Sequence, residues 1–178
     1  MPFNYQRFEE NMNNRVDGKK RNKVLQGLLS YETLTTPVQT AQWINQMMDQ
    51  LASAAGDATA RDVMEACGQR CIGQSILSKA KNIQLKSHDL DDLLDRLNEA
   101  HIGGGKMFRT DEGIHASYER CYCGSVSKTR QPISPIYCQC SCGWYKKLFE
   151  TILDKPVKVE LLDSIIHGAH SCQFVIHI

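Results

Sequence analysis

The chain has no excess of either charge: 21 Lys and Arg stand against 20 Asp and Glu, for a net charge of +1. A protein that neutralises many phosphates needs a basic surplus, so no nucleic-acid partner is expected. It also has no apolar run approaching the roughly 20 residues that span a bilayer, and no membrane association is expected. Residues 1–14 are polar and lack the apolar centre of a secretory signal, so the expected location is cytoplasmic. Compositional bias is absent as well. With 42% hydrophobic and 23% charged residues, the 178-residue chain reads as a globule rather than a collagenous, mucin-like or disordered polymer. It is long enough to bury a full core without a disulfide scaffold.

Cysteine is what the chain does have, eight in all. In a reducing compartment such thiols are buried, metal-binding or reactive more often than disulfide-bonded, so function is sought there first.

Residues 1–35 carry the basic cluster Lys19, Lys20, Arg21 and Lys23 and only a short apolar patch at Leu25, Leu28 and Leu29, which predicts a loosely held polar arm. The remainder, 36–178, reads as one domain. Thr36 with Gln39 makes a capping box and Pro37 suits the first helical position. Val38, Ala41, Ile44, Met48 and Leu51 then mark one apolar face, with Trp43 as core, up to Gly56. Asp57 is a candidate cap for a second helix carrying Val63, Cys67 and Cys71 at four-residue intervals, bending near Gly68 and Gly73. Leu90, Leu93, Leu94 and Leu97 stripe a third, whose acidic residues face water.

Gly103, Gly104 and Gly105 then break the helical period and suggest a flexible joint. Lys106–Arg109 and Ile114–Cys123 predict a hairpin turning at Asp111, Glu112 and Gly113. A loop holding Pro132 and Pro135 follows. Ser141 can cap a helix bearing Trp144, Leu148 and Ile152, which ends before Pro156. Alternation at Val157, Val159 and Leu161, and at Cys172, Phe174, Ile176 and Ile178, predicts two final strands. The expected architecture is α+β: N-terminal helices (36–101) packed on a mainly antiparallel four-stranded sheet with one inserted helix (106–178).

Two motifs fail. The glycine triplet before Lys106 is no phosphate loop, because Ala100 and Met107 stand where that motif needs glycine and Ser or Thr. No His-x-Glu pairs with a Pro-Cys-x-x-Cys, as a zinc deaminase requires. The cysteine pairs are stronger signals. On strands, Cys121 with Cys123, and Cys138 with Cys140, each offer two sulfurs on one side, and four thiolates could close a tetrahedral zinc or iron site. Small buried core residues are the plain alternative. Cys67 and Cys71, one helical turn apart, could bind a metal or form a redox couple, although they also continue the face begun by Val63. Cys142 follows Ser141 at the expected start of a helix, where unpaired N–H groups favour a thiolate, and it is the candidate nucleophile. His115, His167 and His170 are the available bases.

Tyr137-Cys138-Gln139-Cys140-Ser141-Cys142-Gly143-Trp144, then Val157-Lys158-Val159-Glu160, then Gly168-Ala169-His170-Ser171-Cys172-Gln173-Phe174-Val175-Ile176, resembles the vinyl 4-reductase superfamily of small-molecule-binding domains. It is also similar to bacterial relatives of L-2-amino-thiazoline-4-carboxylic acid hydrolase, over roughly residues 60–178. The resemblance implies helices on an antiparallel sheet, a pocket between them for a small ligand, frequent dimers, and Cys172 as the terminal cysteine. Trp144, within the quoted motif, and Cys172 join Cys67 and Cys71 as candidate cofactor or ligand contacts. Extra cysteines at 121, 123, 138 and 140 depart from the pattern.

Three functions follow as expectations. The first is a small-molecule-binding domain with a cysteine-rich site, with or without zinc or iron, most simply a homodimer. The second is a small hydrolase acting on a cyclic C–N bond, using Cys142 or a metal-bound water. The third is a structural dimerising subunit.

Overall fold

A computed structural model describes residues 3–127 and 133–178; Pro132 of the expected loop lies outside the described residues. The fold is α+β, with seven α-helices among the described residues and a four-stranded antiparallel sheet in the order β1-β2-β4-β3. The strands are β1 (Met107–Thr110), β2 (Gly113–Tyr118), β3 (Lys158–Asp163) and β4 (Cys172–His177). Cross-strand partners Ile114 and Ile176, Ala116 and Phe174, and Val159 and Ile176 put one face of the sheet in the core. The inserted helix is α7 (Gln139–Leu153), whose Tyr145, Leu148, Phe149 and Ile152 pack on that face.

The helical half begins earlier than expected. Residues 3–35 are not a loose arm: they contain α1 (Tyr5–Asn13) and α2 (Gly18–Leu25). Phe8, Met12 and Val16 recur every four residues and are buried with Val24 against α3 (Pro37–Ala55) and α4 (Asp57–Gln69). That spacing presents one helical face, a signal masked by the polar residues between. Trp43 fixes the segment further by donating its Nε1–H to the Leu29 carbonyl at 2.8 Å.

The capping box of α3 is complete: the Thr36 hydroxyl accepts from the Gln39 N–H at 3.2 Å, and the Gln39 side chain accepts from the Thr36 N–H at 3.1 Å. Gly56, at φ 87°, ends α3 and is also the cap residue of α4, so Asp57 sits inside the first turn and is not the cap. Ala41, Ile44, Met48 and Leu51 are fully buried, whereas Val38 in the first turn is exposed. The expected bend near Gly68 and Gly73 is a break. The helix α4 ends at Gln69 and a separate α5 (Gln74–Gln84) follows, leaving Cys71 in the turn between them. Asp89 caps α6 (Leu90–Glu99) by accepting from the Asp92 N–H at 2.9 Å.

The two halves hold two apolar cores, one formed by α5, α6, α7 and the sheet, the other by α1–α4 with Val126, Ile133, Ile136 and Tyr137. The crossing of α4 and α7 joins them. A Cβ on Gly68 would overlap the Cys140 carbonyl, and one on Gly143 would overlap the Glu65 carbonyl. Only glycine permits backbones this close. Among the described residues, no helix is long and apolar enough to cross a membrane.

Candidate functional site

Beside the α4–α7 crossing lies a cavity of about 410 Å³, bordered by α1, α4, α7, the end of β2 and the glycine turn at Ile102–Gly105. Its volume falls within the range that holds a small organic molecule. Phe3, Tyr118, Tyr137, Trp144 and Tyr145 give it aromatic walls, and Cys67, Cys71, Cys123 and Cys140 place sulfur on them. Two guanidiniums, Arg7 and Arg120, complete the lining, and neither makes an ion pair with a carboxylate among the described residues.

Each element has a local reason for its place. Asn4 caps α1 by accepting from the Arg7 N–H at 2.8 Å, and Phe8 anchors the same turn in the core, so the Arg7 side chain projects from a fixed base. Gly103, Gly104 and Gly105 all have positive φ, and a Cβ on Gly104 would come within 2.8 Å of the Ser117 carbonyl and the Tyr118 side chain. The triplet is therefore a close-packed corner and not a loose joint. Tyr145 donates to the Gly103 carbonyl at 2.7 Å, and Tyr118 donates to the Ser141 hydroxyl at 2.9 Å, tying turn and strand to α7. Burial drives both phenols well above the usual tyrosine range, so they stay neutral donors.

Three of the four pocket thiols meet a polar partner. Arg7 Nη1 donates to Cys71 Sγ at 2.8 Å, Asn11 Nδ2 donates to Cys67 Sγ at 3.6 Å, and Cys123 Sγ lies 2.8 Å from the Tyr137 hydroxyl. Burial pushes the Cys67 thiol up to about 12. It raises Cys140 as well, with Cys123, Cys138, Cys71 and Cys67 as the neighbouring thiols that add to the effect. Cys71 is only half-buried.

The sequence expectations fare unevenly against this arrangement. Cys67, Cys71 and Trp144 do line the cavity, but Cys172 does not: it is buried under the sheet, where its sulfur accepts from the Ile165 N–H at 3.4 Å. Cys142 is not at a helix start. Consecutive turns from Ser134, with Tyr137, Cys138, Gln139, Cys140 and Ser141 each bonded three residues back, lead into α7, whose cap is Cys138. The N–H groups meant to favour a thiolate are thus engaged, and Cys142 lies fully buried. Burial first, then Glu65, pushes it up to about 12, so the nucleophile expected there is a neutral thiol.

Cys121 and Cys123 are likewise not on a strand. Pairing of β2 stops at Tyr118 opposite Cys172, where β4 begins, and beyond it the chain has no ladder to join. Cys123 and Cys140 reach the pocket, whereas Cys138 is buried and pushed up to about 12. Burial raises Cys121 too. Among the described residues, no group of three or more His, Cys, Asp or Glu side chains is placed to hold a metal ion.

Phe3, Arg7, Tyr118, Arg120, Tyr137 and Tyr145 are site residues that sequence reading missed. The four-residue spacing of Phe8, Met12 and Val16 would have found α1, and with it Arg7 one residue from the buried Phe8; Arg120 had no comparable signal.

These features define an α+β domain with an aromatic, thiol-lined and cationic pocket at a helix crossing. The chain belongs to a family of unknown function, DUF6144, whose match covers residues 5–178 and so includes both cores and every pocket residue from Arg7 onward. No curated protein and no solved structure matches it.

Proposed function

We propose that this chain is a small-molecule-binding domain whose ligand is a compact organic anion with a flat, largely apolar body. The observation that carries the reading is the pair Arg7 and Arg120, two guanidiniums on an aromatic-walled cavity with no carboxylate partner among the described residues. Arg7 is half-buried and Arg120 is exposed at the rim; a guanidinium fork is matched by a planar anion that accepts two hydrogen bonds, and a carboxylate supplies this. Tyr118, Tyr137, Trp144 and Tyr145 offer ring faces and edges to the remainder of such a ligand. The resemblance of the C-terminal half to small-molecule-handling families points the same way.

The test is calorimetric titration with aromatic and heterocyclic carboxylates and with the matching amides. Carboxylates should bind while their amides do not, and Arg120→Met should weaken binding by about tenfold or more, the scale of one charge-assisted contact. Equal affinity for acid and amide would end the anion reading.

A further inference from the structure

We propose that Cys71 is a thiol–disulfide exchange site: its sulfur takes one half of a small carboxylate-bearing disulfide and holds it in the pocket as a mixed disulfide. The proposal rests on the pocket being a ligand site, and adds chemistry to it.

Geometry separates Cys71 from the other cysteines. It stands in the turn after α4, half-buried and on the cavity wall, with Arg7 Nη1 donating to its sulfur at 2.8 Å. A thiolate is the attacking species in exchange, and Arg7 sets a guanidinium donor directly against the sulfur that would attack. Cys67, Cys138 and Cys142 are buried thiols pushed up to about 12. Cys121, Cys140 and Cys172 are raised by burial as well. Cys123 has the neutral Tyr137 hydroxyl as its partner. Among the described residues, Cys71 is the pocket thiol whose side-chain partner is a permanent cation. Arg120, stacked 4.9 Å from the Tyr122 ring centroid on the same cavity, is placed to hold the carboxylate of the incoming molecule.

The step balances without a metal or cofactor. The Cys71 thiolate attacks one sulfur of R–S–S–R; that S–S bond breaks, a Cys71–S–S–R bond forms, and R–S⁻ leaves to take a proton from water. The small disulfide supplies the oxidising equivalents. Cys67 and Cys140 line the same cavity. Attack by either on the Cys71 sulfur would release R–SH and leave an intramolecular disulfide, so two protein thiols would reduce one disulfide to two thiols.

The experiment treats fully reduced protein, without oxygen, with oxidised glutathione or with the uncharged 2-hydroxyethyl disulfide, and maps adducts by peptide mass spectrometry over time. Cys71 should be the first cysteine modified by either reagent, as a mixed disulfide or joined to Cys67 or Cys140. Oxidised glutathione should react about tenfold faster than the uncharged reagent, and Arg120→Met should erase that preference. Arg7→Met should slow Cys71 with both reagents by about tenfold. Site mapping on the unmodified protein needs no variant to fold. A different cysteine reacting first overturns the proposal, as does a Cys71 rate unchanged in a folded Arg7→Met protein. Protein that binds no carboxylate yet reacts first at Cys71 with the uncharged reagent defeats the anion reading and the carboxylate on the incoming disulfide, and leaves exchange at Cys71 standing. Protein that binds carboxylates but reacts first elsewhere defeats this proposal alone.

Discussion

Gly68 of α4 faces the Cys140 carbonyl of α7 so closely that no side chain fits between them, and Gly143 repeats the relationship against Glu65. This reciprocal contact sets the depth of the helix crossing. It also brings Cys67, at the end of one helix, and Cys140, at the start of the other, onto one cavity. Both glycines are helical with ordinary φ, so they are needed for space and not for conformation.

Gly68→Ala and Gly143→Ala should therefore each destabilise the fold by about 3 kcal/mol, because the obstacle is backbone and cannot rotate away. Alanine elsewhere in a helix would stabilise it, so the sign is diagnostic. Urea unfolding measures this directly. A variant as stable as the parent would show that the helices are not held at this distance.

Stability should fall as the solution becomes alkaline. Cys67, Cys138 and Cys142 are each pushed up to about 12 by burial, whereas a thiol in the unfolded chain titrates near about 8.5. The folded values are raised, so the stabilisation is fully present below the unfolded value and is lost as pH climbs toward the folded one. Between those limits each thiol removes up to about 1.4 kcal/mol per pH unit. Urea midpoints under reductant should be flat below about pH 8 and decline beyond it. Constant midpoints as far as about pH 10 would contradict the buried, neutral state of these thiols.

Periodicity made much of this fold legible. The capping box at Thr36, the leucine stripe of α6 and the two-residue alternation of β3 and β4 are local patterns, and each element stands where its pattern lies. The errors fall where a neighbour decides. Whether β2 continues to Cys123 depends on where β4 begins, and whether Cys142 starts a helix depends on the turns from Ser134 onward. The pocket was only half legible. Cys67, Cys71 and Trp144 were candidates by residue type, but their meeting with Arg7 requires α1 to dock on α4, and with Cys140 requires two glycines to be read as a contact.

Iodoacetamide should leave Cys142 among the last cysteines labelled. It is fully buried, and a thiol at about 12 has roughly one part in ten thousand as thiolate at about pH 8. Cys142→Ser should accordingly cost stability while leaving the labelling of Cys71 unchanged. Rapid labelling of Cys142 in folded protein would restore it as the nucleophile.

The N-terminal segment should prove to be structural and part of the site together. Phe8 and Met12 are fully buried in the core built with α3 and α4, and Phe8 packs against Phe3 with ring centroids 5.8 Å apart. Phe8→Ala leaves a cavity under the turn that carries Arg7, and should cost about 3–5 kcal/mol in urea unfolding. The same substitution frees the base of Arg7, so the Arg7–Cys71 contact should loosen and carboxylate affinity should fall even under conditions where the variant is fully folded. Lys19→Ala, on the exposed face of α2 with no ion pair among the described residues, is the matched control and should change stability by less than about 0.5 kcal/mol. A loosely attached arm would give the opposite pattern, with Phe8→Ala as silent as Lys19→Ala. Stability and ligand affinity measured on the two variants therefore decide whether residues 3–35 are a wall of the pocket or an appendage to it.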